Sequence, residues 1–155
     1  MGTLVQSYAL ILYLGTNLCE TGDVGSELAR RIGQVEAAFR ILRSVWSHCS
    51  LGRKQKLRIF EAIIQAKLLY FLQWCSFNQA QIRRVNGFQA RCSRMILGVA
   101  PSFLSRVFNE AVPGRAGALQ LSEVLCNQQL AYQGKLLRLP FQSPLVSVSF
   151  IPGTL

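Results

Sequence analysis

The sequence predicts a mainly α-helical domain: a small bundle of three to four helices, with one short β-strand before it and an irregular tail after it. Three observations favour this fold class. Apolar residues recur at helical spacing over long stretches, helix-starting and helix-stopping residues stand in the expected order, and 50% of the 155 residues are apolar. A chain of this length and composition can form a core as a single domain.

Residues 1–25 are predicted to form a strand and a turn. Tyr8 to Leu14 is a short apolar run that ends at Gly15, which is typical of a strand. Thr16 to Gly25 is rich in turn-forming residues. The apolar run is too short to cross a bilayer and follows no basic residue, so we expect neither a membrane span nor a signal peptide.

Residues 26–98 are predicted to form a thumb-like bundle of three helices, and the first of them has the clearest periodicity. Ser26 is its candidate cap. Apolar residues then follow at steps of four and three, the spacing of one helix face: Leu28, Ile32, Val35, Phe39, Leu42 and Trp46.

The second and third helices are marked by their ends and by their apolar content. The second is predicted from Arg53 to about Cys75, with Ser50 as its cap, and its second half is apolar on nearly all faces, which is typical of a buried helix. The third is predicted from Asn78, with Gln81 in a capping box, to Leu97 before Gly98.

The remaining chain is predicted to hold one more helix. Residues 99–140 comprise an irregular loop to Leu119 and a fourth helix that starts at Ser122, runs from Glu123 to about Leu139 and packs on the bundle. Residues 141–155 contain Pro and Gly among Ser and Val, and we expect a loosely ordered tail.

Composition excludes most catalytic chemistry. The chain has one histidine, His48, and one aspartate, Asp23, so clustered carboxylates for two-metal catalysis and a His-based triad are lacking. A nucleophile pair of His48 with Cys49 has no orienting carboxylate nearby. The five cysteines form no C-x-x-C pair, which favours reduced and mostly buried thiols in an intracellular protein, nuclear or cytoplasmic. We therefore predict no catalytic residue, metal or cofactor.

The positive charge is concentrated in the three-helix segment. Residues 27–97 carry 13 of the 17 basic residues, and no acidic residue occurs between Glu61 and Glu110. Four arginines of the third helix fall within an arc of roughly 100°: Arg83, Arg84, Arg91 and Arg94. Such a face suits phosphate, which arginine binds in bidentate fashion, although a plain solvated helix surface is the alternative.

A second basic cluster lies at the start of the second helix. It consists of Arg53, Lys54, Lys56 and Arg58. Positive charge at this end of a helix opposes the helix dipole, so the placement does not help folding and favours an anionic partner.

Six aromatic residues could either stack on bases or pack in the core. They are Phe39, Trp46, Phe60, Tyr70, Phe71 and Trp74. Because they lie on helical stripes or in the apolar second helix, the sequence favours core packing.

The order of these segments resembles the reverse transcriptases of LINE-type non-LTR retrotransposons. The similar segments are Tyr13-Leu14-Gly15, Gly22-Asp23, Glu27 to Ile32, Ala38-Phe39-x-x-Leu42-x-x-x-Trp46, Lys56, Phe60-Glu61-Ala62, Leu68-Leu69-Tyr70, Phe88-Gln89-x-x-Cys92-x-Arg94-x-Ile96-Leu97-Gly98, Arg106-Val107-x-Asn109 and Gly134 to Pro140. The resemblance covers about Leu12 to Pro140, most of the chain.

The resemblance implies a thumb and the beginning of the C-terminal region of an RNA-directed DNA polymerase from a transposable element. The family's thumb holds the template–primer duplex, and its Y-L-G segment, here Tyr13, Leu14 and Gly15, follows the palm near the primer-grip strand. In this chain we favour a structural role for these three residues, because the sheet that they would join is missing. The paired catalytic aspartates, the endonuclease domain and the distal Cys/His knuckle of the family have no counterpart here, so we expect no enzyme activity from this chain alone.

We interpret the chain as a severed thumb, either a relic open reading frame of a decayed element or one exon of a larger protein with a palm domain. The first functional hypothesis is sequence-independent binding to the backbone of RNA or an RNA–DNA duplex. The alternative is an interaction or scaffold fragment whose exposed apolar helix recruits a partner or drives self-association. A third hypothesis, a basic protein on an anionic membrane, is disfavoured because basic residues are scattered around the first helix.

Overall fold

The computed structural model describes residues 10–13, 16–19, 24–48, 50–70, 72–140 and 143–144. This part of the chain is mainly helical, as the sequence predicted. Within it, no helix is both long and apolar enough to cross a membrane. The described residues also contain no group of three His, Cys, Asp or Glu side chains that could hold a metal ion.

Two short strands precede the helices in the described N-terminal residues. The strands β1 (Leu10–Tyr13) and β2 (Thr16–Cys19) pair antiparallel, with Tyr13 opposite Thr16. The sequence indicated a turn from Thr16 onward, whereas the structure uses these residues to give β1 a pairing partner. Such a partner matters because an unpaired strand edge exposes a row of unsatisfied backbone groups.

The first predicted helix is divided in two. Helix α1 (Gly25–Ile41) is followed by α2 (Arg43–Ser47), with Leu42 at φ −82° and ψ 15° between them. The predicted apolar stripe faces the core across this break, and Trp46 donates from Nε1 to the carbonyl of Phe39 at 2.9 Å. The predicted cap at Ser26 is wrong, because α1 already includes Ser26 and Val24 precedes it without a side-chain cap.

The second predicted helix changes its winding along its length. Helix α3 (Arg53–Ile59) continues as a π-helical turn (Phe60–Gln65) and then as α4 (Ala66–Leu69), and a 3₁₀ turn (Leu72–Trp74) follows. The continuous helix ends earlier than predicted because Tyr70 is extended, with ψ 124°. The predicted cap at Ser50 is also wrong: Gly52 occupies that place, and its N–H donates to Oε1 of Gln55 at 2.9 Å.

The spacing of the buried residues gives a physical reason for the π-helical turn. On the continuous helix, Phe60, Ile64 and Leu68 are buried and recur at steps of four. On an α-helix each step of four advances about 40° around the axis, so the stripe would drift away from the core. The wider π turn offsets part of that drift and keeps these side chains on the buried side.

The third predicted helix is confirmed at both ends. Helix α5 (Gln79–Leu97) starts at a capping box: Asn78 Oδ1 accepts from the N–H of Gln81 at 2.9 Å, and Gln81 Oε1 accepts from the N–H of Asn78 at 3.0 Å. Gly98 ends it in the left-handed region, with φ 67°, a conformation that glycine adopts without steric cost.

The segment after α5 is more regular than predicted. It contains α6 (Ser102–Ser105) and α7 (Ala111–Ala116), and α7 packs against α5. Helix α8 (Leu121–Leu136) starts one residue before the predicted Ser122 and ends before Leu139. Most of the predicted tail, residues 141–155, lies outside the described residues.

Helices α1, α2, α3, α4, α5 and α8, together with the π-helical and 3₁₀ turns, share one hydrophobic core. Its buried members are Leu28, Ile32, Val35, Phe39, Trp46, Leu57, Phe60, Ile64, Leu68, Leu69, Leu72, Val85, Phe88, Cys92, Ile96, Leu121 and Leu125. The prediction of core packing holds for Phe39, Trp46 and Phe60 but is wrong for Tyr70 and Trp74, which are exposed. These two rings pack against the surface instead: Tyr70 faces the guanidinium of Arg31, and Trp74 contacts Tyr132 edge to face. Phe71 lies outside the described residues.

Of the three cysteines whose side chains the structure describes, thiol reagents should modify Cys126 first and Cys92 last. Cys126 is exposed, Cys75 is intermediate and Cys92 is buried, whereas the expectation of mostly buried thiols also concerned Cys19 and Cys49, whose side chains lie outside the description. Burial raises the pKa of the Cys92 thiol to about 12. Because the thiolate is the reactive form, peptide mass spectrometry after timed exposure to iodoacetamide should find Cys92 unmodified in the native protein and modified once urea is added.

The raised pKa of Cys92 also determines how the free energy of unfolding changes with pH. The thiol is protonated below pH 9 in both states, and the folded state retains its proton up to about pH 12. The fold therefore loses this contribution as the pH rises from 9 toward 12. Native-state labelling of Cys92 as fast as that of Cys126 would contradict both statements.

Candidate functional site

The structure separates the four predicted arginines of α5 into two groups. Arg83 and Arg84 are exposed near the start of the helix, and the Arg91 side chain is 64% exposed further along. Arg94, one turn beyond Arg91, is buried. Of the four arginines predicted to share an exposed face, three are therefore exposed in the structure.

The structure buries Arg94, which the sequence predicted to lie on the solvent-facing binding surface. Its guanidinium points at the segment that follows α5 and donates to the carbonyl of Ala100 at 2.6 Å, to Oγ of Ser105 at 3.2 Å and to Oδ1 of Asn109 at 3.1 Å. It also donates to the carbonyl of Val107. With its donors engaged inside the fold, Arg94 holds the chain together and does not present a binding group to solvent.

Arg91 has a partner that its own helix does not provide. Its Nη2 lies 2.6 Å from Oε1 of Glu36 on α1. Exposed pairs of this kind contribute only about 0–1 kcal/mol, and a guanidinium has five N–H donors. Arg91 can therefore engage a phosphate while it stays beside Glu36.

Two arginines that the sequence analysis did not select lie next to this face. Arg40 and Arg43 line an open groove of about 410 Å³ together with Met95, the residue one turn after Arg91 on α5. The buried Phe39 and Trp46 form the apolar floor of the groove. The i, i+3 spacing of Arg40 and Arg43 was visible in the sequence, but their position beside α5 depends on how α1 and α5 pack.

We call the surface formed by Arg40, Arg43, Arg84 and Arg91 the arginine groove. Arg84 and Arg91 are seven residues apart and share one face of α5. Of these four guanidiniums, that of Arg91 pairs with the carboxylate of Glu36, so the four arginines together carry more positive charge than this one carboxylate offsets. An apolar floor with guanidiniums along its sides can accept a sugar–phosphate chain, because the sugars contact the floor while the phosphates meet the charges.

The second predicted basic cluster is only partly available. Arg53, Lys54 and Arg58 of α3 are exposed. Lys56 is half-buried, and its Nζ donates to the carbonyl of Trp46 at 2.6 Å. Lys56 thus ties α3 to the end of α2 and satisfies a carbonyl there, a structural contact in addition to its predicted place among the binding residues.

Of the other predicted positions, the structure describes Tyr13 and His48. Tyr13 is the last residue of β1, while Leu14 and Gly15 lie outside the described residues. His48 is exposed, and its Nδ1 lies 2.7 Å from Oγ of Ser50 in the turn between α2 and α3. Cys49, the neighbour considered as a nucleophile, lies outside the described residues.

Comparisons of the chain with protein-family models, with curated proteins and with solved structures found no match.

Proposed function

We propose that this chain is a non-catalytic, thumb-like module that binds the backbone of RNA or an RNA–DNA duplex without sequence specificity. The observation that carries the proposal is the arginine groove, in which Arg40 and Arg43 of the α1–α2 region lie beside Met95 of α5, the helix that also carries the exposed Arg84 and Arg91. The resemblance to LINE-type reverse transcriptases favours a template–primer duplex from a retrotransposon as the natural ligand, with a palm domain in a longer parent protein. Phosphate contacts of this kind position a duplex and do not read its sequence.

Salt dependence tests the proposal directly. If four phosphates meet the four guanidiniums, log K for an RNA–DNA hybrid should fall with log salt at a slope of about −3.6. Replacing Arg84 and Arg91 together by glutamine should make the slope shallower by about 2 and weaken binding on the order of fifty-fold at 0.1 M salt, equally for different sequences. Fluorescence anisotropy with a labelled hybrid measures both quantities.

Glu36 provides a test of opposite sign at the same surface. Glu36→Gln removes the carboxylate beside Arg91 and should tighten binding several-fold and steepen the slope. The matched control is Glu123→Gln, which removes an exposed carboxylate from α8 and changes the net charge by the same amount. Equal effects of the two substitutions would show that only net charge matters, and a slope near zero in the unmodified protein would overturn the proposal.

The alternative function is an interaction or scaffold fragment without a nucleic-acid role. Its supporting observation is that Ile63, Tyr70 and Trp74 of the apolar second segment are exposed. Light scattering with and without a polyanion separates the two functions: self-association that a polyanion leaves unchanged, together with no hybrid binding, would favour the scaffold.

A further inference from the structure

The segment of residues 102–108 exposes large apolar side chains on a fixed backbone. Phe103 and Phe108 are each 80% exposed and Leu104 is 67% exposed, whereas Phe88 of the core is 1% exposed. Single exposed apolar residues are normal on protein surfaces. Three of them within six residues, two of them phenylalanine, form a patch of the kind that marks an interaction site.

This segment is held from inside the fold. Arg94 of α5 donates to Ala100, Ser105, Val107 and Asn109, so one buried guanidinium binds the backbone or side chains on both sides of Arg106. The exposed rings are therefore carried on a segment that is ordered before any partner arrives. Such preorganisation lowers the conformational entropy that is lost on binding.

Arg106 shapes the surface between the two rings. Among the described residues it is the non-glycine residue with a positive φ, 53°, and its N–H donates to the carbonyl of Ser102 at 2.9 Å. A non-glycine residue in this region is disfavoured, and such residues occur often at functional sites. Its side chain is exposed, so the chain presents a positive charge at a position between Phe103 and Phe108 in the sequence.

The surroundings of the patch are basic. Asn109 and Glu110 line one cavity together with Arg83 of α5, which brings the segment beside the exposed start of that helix. Arg115 of α7 is exposed as well, and Glu110 is the acidic residue of this segment. Aromatic rings next to exposed guanidiniums complement a chain that carries both flat bases and phosphates.

We propose that Phe103, Arg106 and Phe108 bind unpaired bases of a single-stranded nucleic acid: the two rings stack on bases and the guanidinium contacts the phosphate between them. Every base has a π face, so such stacking is tolerant of sequence. The inference rests on the proposed function and deepens it, because it assigns the unpaired bases of the same nucleic acid to this patch. A membrane or an apolar protein partner lacks this combination of flat rings and repeated negative charge.

The test compares a blunt RNA–DNA hybrid with the same hybrid that carries a single-stranded extension of six nucleotides. We expect the unmodified protein to bind the extended hybrid about ten- to hundred-fold more tightly, the range of one or two stacked bases. The double variant Phe103→Leu with Phe108→Leu keeps the apolar character but lacks the rings, and it should lose this advantage while blunt-hybrid binding stays unchanged. The matched variant Phe103→Tyr with Phe108→Tyr keeps the rings and should retain the advantage.

A further substitution tests the positive charge of Arg106 without changing the backbone conformation. Arg106→Asn removes the guanidinium but supplies the side chain that best tolerates positive φ after glycine, and it should weaken binding of the extended hybrid several-fold. Because these residues are exposed, circular dichroism should show all variants folded.

Each outcome of these experiments either supports base stacking at the patch or overturns it. An extension that gives no advantage, or an advantage that the leucine variant retains, would overturn this inference. Sensitivity of blunt-hybrid binding to Arg84→Gln and Arg91→Gln would then still support the arginine groove alone. Binding to anionic vesicles that the leucine variant retains and the tyrosine variant loses would assign the patch to a membrane and overturn base stacking.

Discussion

Replacing Glu27 by alanine should lower the free energy of unfolding by about 3–5 kcal/mol, the usual cost of leaving a buried charge without its partner. Glu27 is 2% exposed, and its Oε1 lies 2.6 Å from Nε of Arg31, which is itself 4% exposed. Oε1 also lies 2.7 Å from Nη2 of Arg30. Without the carboxylate, the guanidinium of Arg31 stays in the interior uncompensated. Urea denaturation followed by circular dichroism measures the loss.

The position of this cluster explains why the effect is large. Arg31 also donates from Nη2 to Oγ1 of Thr16 at 2.9 Å, and its guanidinium lies 5.2 Å from the ring centre of Tyr70. One ion pair therefore joins β2, α1 and the end of α4. Glu123→Ala, which removes an exposed acid from the first turn of α8, is the control and should cost about 1 kcal/mol or less.

A double substitution distinguishes charge burial from lost packing. Glu27→Met together with Arg31→Met removes both charges and should recover much of the stability, because a buried ion pair is often replaced by apolar residues at little cost. A loss for Glu27→Ala below about 1 kcal/mol would mean that water reaches Arg31 and that the cluster is not buried as described.

Arg94→Met is the second substitution with a large expected effect, about 2–4 kcal/mol. It leaves the carbonyls of Ala100 and Val107 and the side chains of Ser105 and Asn109 without their common donor. Besides the lower stability, we expect faster proteolysis and faster amide exchange between residues 99 and 110, because the segment loses its internal anchor.

The control for Arg94 lies on the same helix. Arg91→Met removes a side chain of the same type that is 64% exposed and forms one surface ion pair, so it should change stability by less than about 1 kcal/mol. The two variants also separate binding from folding: Arg91→Met should weaken binding of a blunt hybrid, whereas Arg94→Met should act through the segment that it anchors. Equal destabilisation by the two would contradict the assignment of Arg94 to the interior.

The sequence predictions that succeeded concern local interactions, although the local caps predicted at Ser26 and Ser50 were wrong. The stripe that contains Leu28, Val35 and Phe39 needed only the helical period to be recognised. The capping box of Asn78 and Gln81 and the end of α5 at Gly98 each involve residues within one turn of each other. Such features depend on the backbone of a single helix, so they survive without knowledge of the neighbouring segments.

Predictions failed where the partner comes from another part of the chain. The start of α8 is capped by side chains of α5: the N–H of Leu121 donates to Oε1 of Gln89 at 2.8 Å, and the N–H of Ser122 donates to Oδ1 of Asn86 at 3.1 Å. These pairs are separated by 32 and 36 residues. From the sequence, Ser122 is predicted as the start of this helix, because a cap can be recognised there only among residues close to the helix end.

By itself, then, the sequence determined that the chain is mainly helical, which residues form the stripe of the first helix, where α5 begins and ends, and that the positive charge lies between residues 27 and 97. The tertiary structure alone decided which of those charges face solvent. Arg91 and Arg94 have the same side chain and lie one turn apart on α5, yet one is 64% exposed and the other donates to groups within residues 100–109. The reason is physical: the helical period fixes the angle at which a side chain leaves its helix, whereas its solvation depends on which distant segment packs over that angle.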